Sequence, residues 1–245
     1  MKQFHLSNML LSAAMVICMA SCGGNGENNE ADTTMTENIT PVDVPQANTI
    51  VTTPQSMMIA MHKVADFEKW KASYDEHDSM RRVNGIHNYV IGRGVKDPNM
   101  IMVVVKCDDM AKGKAFANDA SLKTAMRKGG VTGTPVFKFV NMTFQDTSFI
   151  GPEVMRVQTS ITVKDWNAWQ TNFEEGRKAG MDNGLALRAY GHEDGNDKKV
   201  VIVSAIMDST KANAWYQSDE LKKRREEGGV IGDPERFMFR IAARY

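Results

Sequence analysis

Four side chains of this 245-residue sequence are of types that handle protons and anions: His87, Tyr89, Arg188 and Tyr190. A tyrosine or histidine donates to or accepts from a substrate, and an arginine meets a carboxylate or phenolate. Strand alternation selects them. Along 86–93 one parity carries Ile86, Asn88 and Val90, and the other carries His87, Tyr89 and Ile91. Along 185–192 the corresponding sets are Leu185, Leu187 and Ala189 against Ala186, Arg188 and Tyr190. The aliphatic sets suit packing under helices, and the polar sets suit a partly polar cavity. They equally suit an interface with satisfied polar groups, so periodicity alone leaves both readings open.

Other residues offer less. His62 reads as a strand-end histidine, and His77 lies in the charge run Asp75, Glu76, Asp78, which reads as a solvated helix face. A haem would need an axial ligand on a cavity wall; His87 and His62 could supply one, and no motif supports either. There is no Gly-x-Gly-x-x-Gly after a strand, no Walker A, no paired cysteine for zinc and no Gly-x-Ser-x-Gly. No metal and no cofactor are therefore expected.

The elements that must position these residues are written twice. "GGVTGTP" begins at Gly129 and "GGVIGDP" at Gly228, 99 positions later. At the same offset Val64 pairs with Val163, Asp66 with Asp165, Trp70 with Trp169, Gly92 with Gly191 and Asp109 with Asp208. His62 faces Ile161, His87 faces Ala186 and Tyr89 faces Arg188 in this alignment. An ungapped match over this length is a duplication.

Each unit reads strand, helix, strand, strand, helix, strand. Met57 to Lys63 and Met155 to Val163 are strand-like, and Asp66 and Asp165 are placed to cap the helices that follow. Phe67, Trp70 and Tyr74, matched by Trp166, Trp169 and Phe173, form the core stripe of those helices. Asn84-Gly85 and Asn183-Gly184 end them. Two strands follow, then a helix from Asp109 or Asp208, the double glycine and a last strand. The acidic turn Asp194-Gly195-Asn196-Asp197 reads as a hairpin turn rather than a calcium loop.

The βαββαβ order is ferredoxin-like, so the class is α+β. Such a unit leaves one sheet face bare. The strands at 101–105 and 200–203 are apolar at successive positions, which calls for cover on both faces. The simplest cover is the other unit's bare sheet, giving a closed or nearly closed barrel within one chain. On this element order and the paired glycine phrase, residues 57–245 resemble the dimeric α/β-barrel superfamily, here fused in tandem. That superfamily includes antibiotic-biosynthesis-monooxygenase-like and stress-responsive barrel proteins. The resemblance implies a cavity between the sheets, which in some members hosts cofactor-free oxygenation, in others haem, and in others no known chemistry.

The N-terminus reads as an export signal: Lys2, then the apolar run Met9 to Ala20, with no acidic residue before Glu27. Met19-Ala20-Ser21-Cys22 resembles the lipobox of bacterial lipoproteins, which implies cleavage before Cys22 and acylation of its thiol. The expected organisation is a signal at 1–21, a polar tether at 22–55, repeat 1 at 56–147 and repeat 2 at 154–245. Cys107, opposite Ile206, is then a lone core thiol. With 30 basic and 30 acidic residues the chain has no basic excess for nucleic acid. The expectation is an envelope lipoprotein, periplasmic or surface-exposed, held to a membrane by its lipid. Its barrel would bind a small hydrophobic or aromatic ligand between the sheets through His87, Tyr89, Arg188 and Tyr190. The alternatives are a cofactor-independent monooxygenase-like enzyme and a non-catalytic assembly protein. Association beyond the fused pair is compatible with all three.

Overall fold

The computed structural model describes residues 48–245. The expected signal, the lipobox and most of the tether lie outside the described residues. The tether's expected end is ordered: β1 (Ile50–Val51) pairs with the far end of a later strand, and β2 already begins at Gln55.

Repeat 1 comprises β2 (Gln55–Val64), α1 (Phe67–Glu76), α2 (Asp78–Val83), β3 (Ile86–Gly94), β4 (Met100–Cys107), α3 (Met110–Asn118), α4 (Ala120–Lys128) and β5 (Val131–Asp146). Repeat 2 comprises β6 (Arg156–Val163), α5 (Trp166–Glu175), α6 (Arg177–Asp182), β7 (Leu185–Glu193), β8 (Asn196–Ile206), α7 (Ser209–Gln217), α8 (Asp219–Glu227) and β9 (Val230–Arg244). The caps fall where the sequence puts them. Asp66, Asp109, Asp165 and Asp208 each accept the N–H three residues on, closing the first turn. Each expected helix is, however, two. Asp119 and Ser218 take extended backbone and cap a second helix through Ser121 and Leu221 N–H, because a short polar side chain competes with the helix for its own amides.

Within each repeat the strands lie in the ferredoxin-like order β5-β2-β4-β3 and β9-β6-β8-β7. The repeats then join edge to edge rather than only face to face. β3 pairs with β9 and β5 with β7, so eight strands close into one antiparallel barrel with no free edge. The paired glycines explain the seams. A Cβ on Gly92 would come within 2.6 Å of the Phe239 ring, and one on Gly191 within 2.7 Å of Met142 Cα. Each seam is close because one residue opposite it has no side chain.

Alternate residues of the strands fill two layers. Met57, Ile59, Met102, Val104, Val140, Met142 and Phe239 point into the barrel and pack as one cluster. Their neighbours Met58, Ala60, Val103 and Val105 point outward under the helices, against Trp70 and Phe116. Trp169, Leu187 and Val200 do the same in repeat 2. The space between the sheets is thus lined by packed side chains of both repeats.

Two helix–sheet cavities as candidate sites

Among the described residues, a cavity in each repeat opens between the helices and the outer face of the barrel. The two correspond under the 99-residue offset: Trp70 and Trp169, Tyr74 and Phe173, Phe116 and Trp215, Val103 and Ile202 line equivalent walls. Their volumes differ, at about 60 Å³ in repeat 1 and about 160 Å³ in repeat 2. The difference comes from α2 and α6. His77 and Arg81 fill repeat 1 where repeat 2 has Gly176 and Gly180.

The repeat 1 cavity holds unpartnered polar groups. His62 sits on the outward parity of β2, between Ala60 and Val64, and is 4% exposed. Neither ring nitrogen has a hydrogen-bond partner, and burial lowers its pKa to about 4, so the ring is neutral at pH 7. The repeated glycine phrase puts it there. Gly133 takes φ +72, and the β2–β5 register slips between Met61 and Lys63, leaving His62 opposite a bulge. Its ring lies 5.4 Å from that of Trp70.

Arg81, also 4% exposed, lays its guanidinium 3.7 Å from the centre of the Tyr74 ring. Its Nε and Nη2 make no hydrogen bond, and Asp78 stands 3.6 Å away. Tyr74 donates to Asn88 Oδ1 at 2.6 Å, and Asn88 donates to Asp78 Oδ1 at 2.7 Å. Burial raises the Tyr74 pKa, so its hydroxyl stays protonated. A neutral imidazole and a cation facing one apolar space can take a proton and hold the anion that results.

The four residues singled out by alternation are not brought together. His87 is the second residue of β3, is exposed, and places Nε2 2.7 Å from Asp108 Oδ1. Tyr89 does reach the barrel interior, with Lys106 Nζ 4.9 Å and Arg244 5.5 Å from its ring. Arg188 is buried but committed: it donates to Asp146 Oδ2 at 2.9 Å, to Ser148 Oγ at 3.0 Å and to the Ser148 carbonyl. Arg156 likewise donates to the carbonyls of Val154, Ile150 and Gly151. Together they hold the connector between the repeats. Tyr190 faces the helices, stacked 5.4 Å from Phe144 and accepting from Gln170 at 3.1 Å.

The reason is a bulge in each strand. The β3–β4 register shifts between Asn88 and Val90, and the β7–β8 register between Leu187 and Ala189. Each inserted residue reverses the alternation beyond it, so Tyr190 moves to the face opposite the one its parity assigns. His62 and Arg81 carried a weaker signal: both face a small or apolar residue in the other repeat, Ile161 and Gly180.

Among the described residues no group of three or more His, Cys, Asp or Glu side chains could hold a metal ion. A porphyrin, several times the size of a benzene, does not fit either cavity as it stands, since about 150 Å³ accommodates one benzene.

With the barrel and its cavities in view, the class is plain: the fold is the dimeric α/β barrel, built from ferredoxin-like units within one chain. Solved structures agree. A candidate monooxygenase of Fusobacterium nucleatum superposes with TM-score 0.54 at 12% identity, covering 79% of this chain and 94% of its own. An anthrone oxidase-like protein superposes at 0.53 with 13% identity, over 79% and 94%. A candidate monooxygenase of Lactobacillus acidophilus gives 0.52 with 11% identity, over 78% and 95%. At such identities the likeness is one of fold. No protein-family model and no curated protein matches the sequence.

Proposed function

We propose that this barrel is a cofactor-independent, monooxygenase-like enzyme acting on a small acidic aromatic in the repeat 1 cavity. The observation that carries the reading is His62, a buried neutral imidazole with both nitrogens free inside an aromatic-walled space. The names of the structural neighbours, two candidate monooxygenases and an anthrone oxidase-like protein, support the same reading.

A hydroquinone illustrates the chemistry. His62 accepts the hydrogen bond of a phenolic hydroxyl and takes its proton only as that oxygen gives up electron density to the ring, with the Arg81 guanidinium beside the developing anion. The electron-rich ring carbon then reacts with dioxygen. One oxygen atom enters the ring, and the other leaves as water with two hydrogens of the substrate, giving a hydroxyquinone. The substrate supplies all the electrons. At about 60 Å³ the cavity admits dioxygen as it stands, and oxygenation of a ring requires Met80 and Met126, half-exposed in its lining, to turn aside.

The test is oxygen uptake with hydroquinone above its autoxidation rate, with ¹⁸O₂ as the oxidant. One label in the product and a loss of tenfold or more in His62→Leu are expected. Label-free benzoquinone, or an unchanged rate in the variant, would reject the assignment. The protein is further proposed to act at the bacterial envelope, anchored through Cys22. Palmitate that still incorporates after Cys22→Ala would reject that part alone.

A further inference from the structure

We infer that the repeat 2 cavity is a second site, which binds a single-ring aromatic carboxylate without transforming it. This goes beyond the oxygenation proposed for repeat 1 and does not depend on it. The cavity has no base where repeat 1 has one, because Ile161 occupies the place of His62. What repeat 2 has instead is space and positive charge.

Size comes first. The cavity measures about 160 Å³, and about 150 Å³ suffices for benzene. Its walls are aromatic, with Trp169, Phe173, Trp215 and Tyr216 around it. Trp169 and Phe173 stack on each other at 4.8 Å within that lining.

Charge decides the ligand's polar end. Arg225 and Arg236 line this cavity at the positions of Met126 and Phe137 in repeat 1. Arg236 lies 4.4 Å from the centre of the Tyr216 ring, which fixes its plane. The two guanidiniums repel each other, and Asp233 acts on Arg225 from beyond ion-pair distance. Among the described residues neither has a carboxylate within 4.0 Å, whereas Arg224 beside them is paired with Glu220 at 2.9 Å. Arg225, half-buried, and Arg236, exposed at the rim, with no carboxylate in ion-pair contact at an aromatic cavity, are complementary to a carboxylate on a ring.

The experiment titrates the full chain with sodium benzoate and with the neutral isostere benzyl alcohol, followed by tryptophan fluorescence and calorimetry. Benzoate is expected to bind at least tenfold more tightly than the alcohol. The double variant Arg225→Gln/Arg236→Gln should erase that difference. Gly180→Leu supplies an independent check: it puts a side chain where repeat 1 has Arg81, replaces a helical glycine, and leaves both arginines in place. It should weaken the binding of both probes at this cavity by at least tenfold. His62→Leu should leave benzoate binding unchanged, which separates this site from the oxygenation site. Equal affinity for the two probes, undiminished binding in Gly180→Leu, or loss of benzoate binding in His62→Leu would each overturn the inference.

Discussion

Replacing His62 by leucine should change how stability depends on pH, and by an amount that follows from its burial. In the unfolded chain the imidazole titrates near 6.5, and in the folded protein near 4. Between these values the unfolded state binds a proton that the folded state refuses, so stability rises with pH through this window and falls as the solution is acidified. At 1.36 kcal/mol per unit the full effect is about 3 kcal/mol, of which about 2.5 kcal/mol lies between pH 7 and pH 4.5. The assay is urea denaturation of both proteins at the two pH values. Carboxylates contribute equally to both, so the difference of differences isolates His62. Wild type should lose about 2.5 kcal/mol more than His62→Leu, or roughly 5–10 °C in Tm for a chain of this length. At pH 7 the variant should be as stable as wild type or more so, because it removes two buried nitrogens without partners. Parallel pH profiles would show that the ring is solvated or paired in solution, and the base assigned to the cavity would go with it.

Two further outcomes test the frame. Gly191→Ala should destabilise the barrel by about 2–4 kcal/mol, since its Cβ would collide with the Asn141 carbonyl at the β5–β7 seam; thermal unfolding measures this. Arg188→Ala should cost about 3 kcal/mol by stranding Asp146 and the Ser148 carbonyl, and should increase proteolytic cleavage between 147 and 155. Oxygen uptake by the Arg188 variant should persist below its unfolding temperature, because Arg188 touches the connector and not the helix–sheet cavity.

The duplicated frame was legible because it rests on local physics repeated twice. Aspartates before helices, glycines after them and apolar strands each have one best use, and seeing each use at two positions removes most ambiguity. The closure of the barrel was legible as a need for cover, but not as edge pairing, because nothing in β3 or β5 announces its partner. The site was less legible. Tyr89 and Arg188 sit in bulges without a glycine or proline to mark them, and one inserted residue is enough to turn Tyr190 to the other face. Cys107 was read correctly as a packed thiol: it is buried, with its pKa pushed up to about 11. His62 was passed over since a strand-end histidine is ordinarily solvated; only the bulge opposite it and the helices above it make it otherwise.

The covalent join between the repeats has a consequence for what selection can do with this barrel. In a two-fold homodimer every substitution is made twice, so a residue that improves one pocket is imposed on the other. Here a mutation in one half stays in that half. Arginine at 81 with glycine at 180, and methionine at 126 with arginine at 225, are pairings that no symmetric assembly could hold. The connector that Arg156 and Arg188 fasten is therefore more than a link: it is what allows one barrel to carry two cavities of different size and charge.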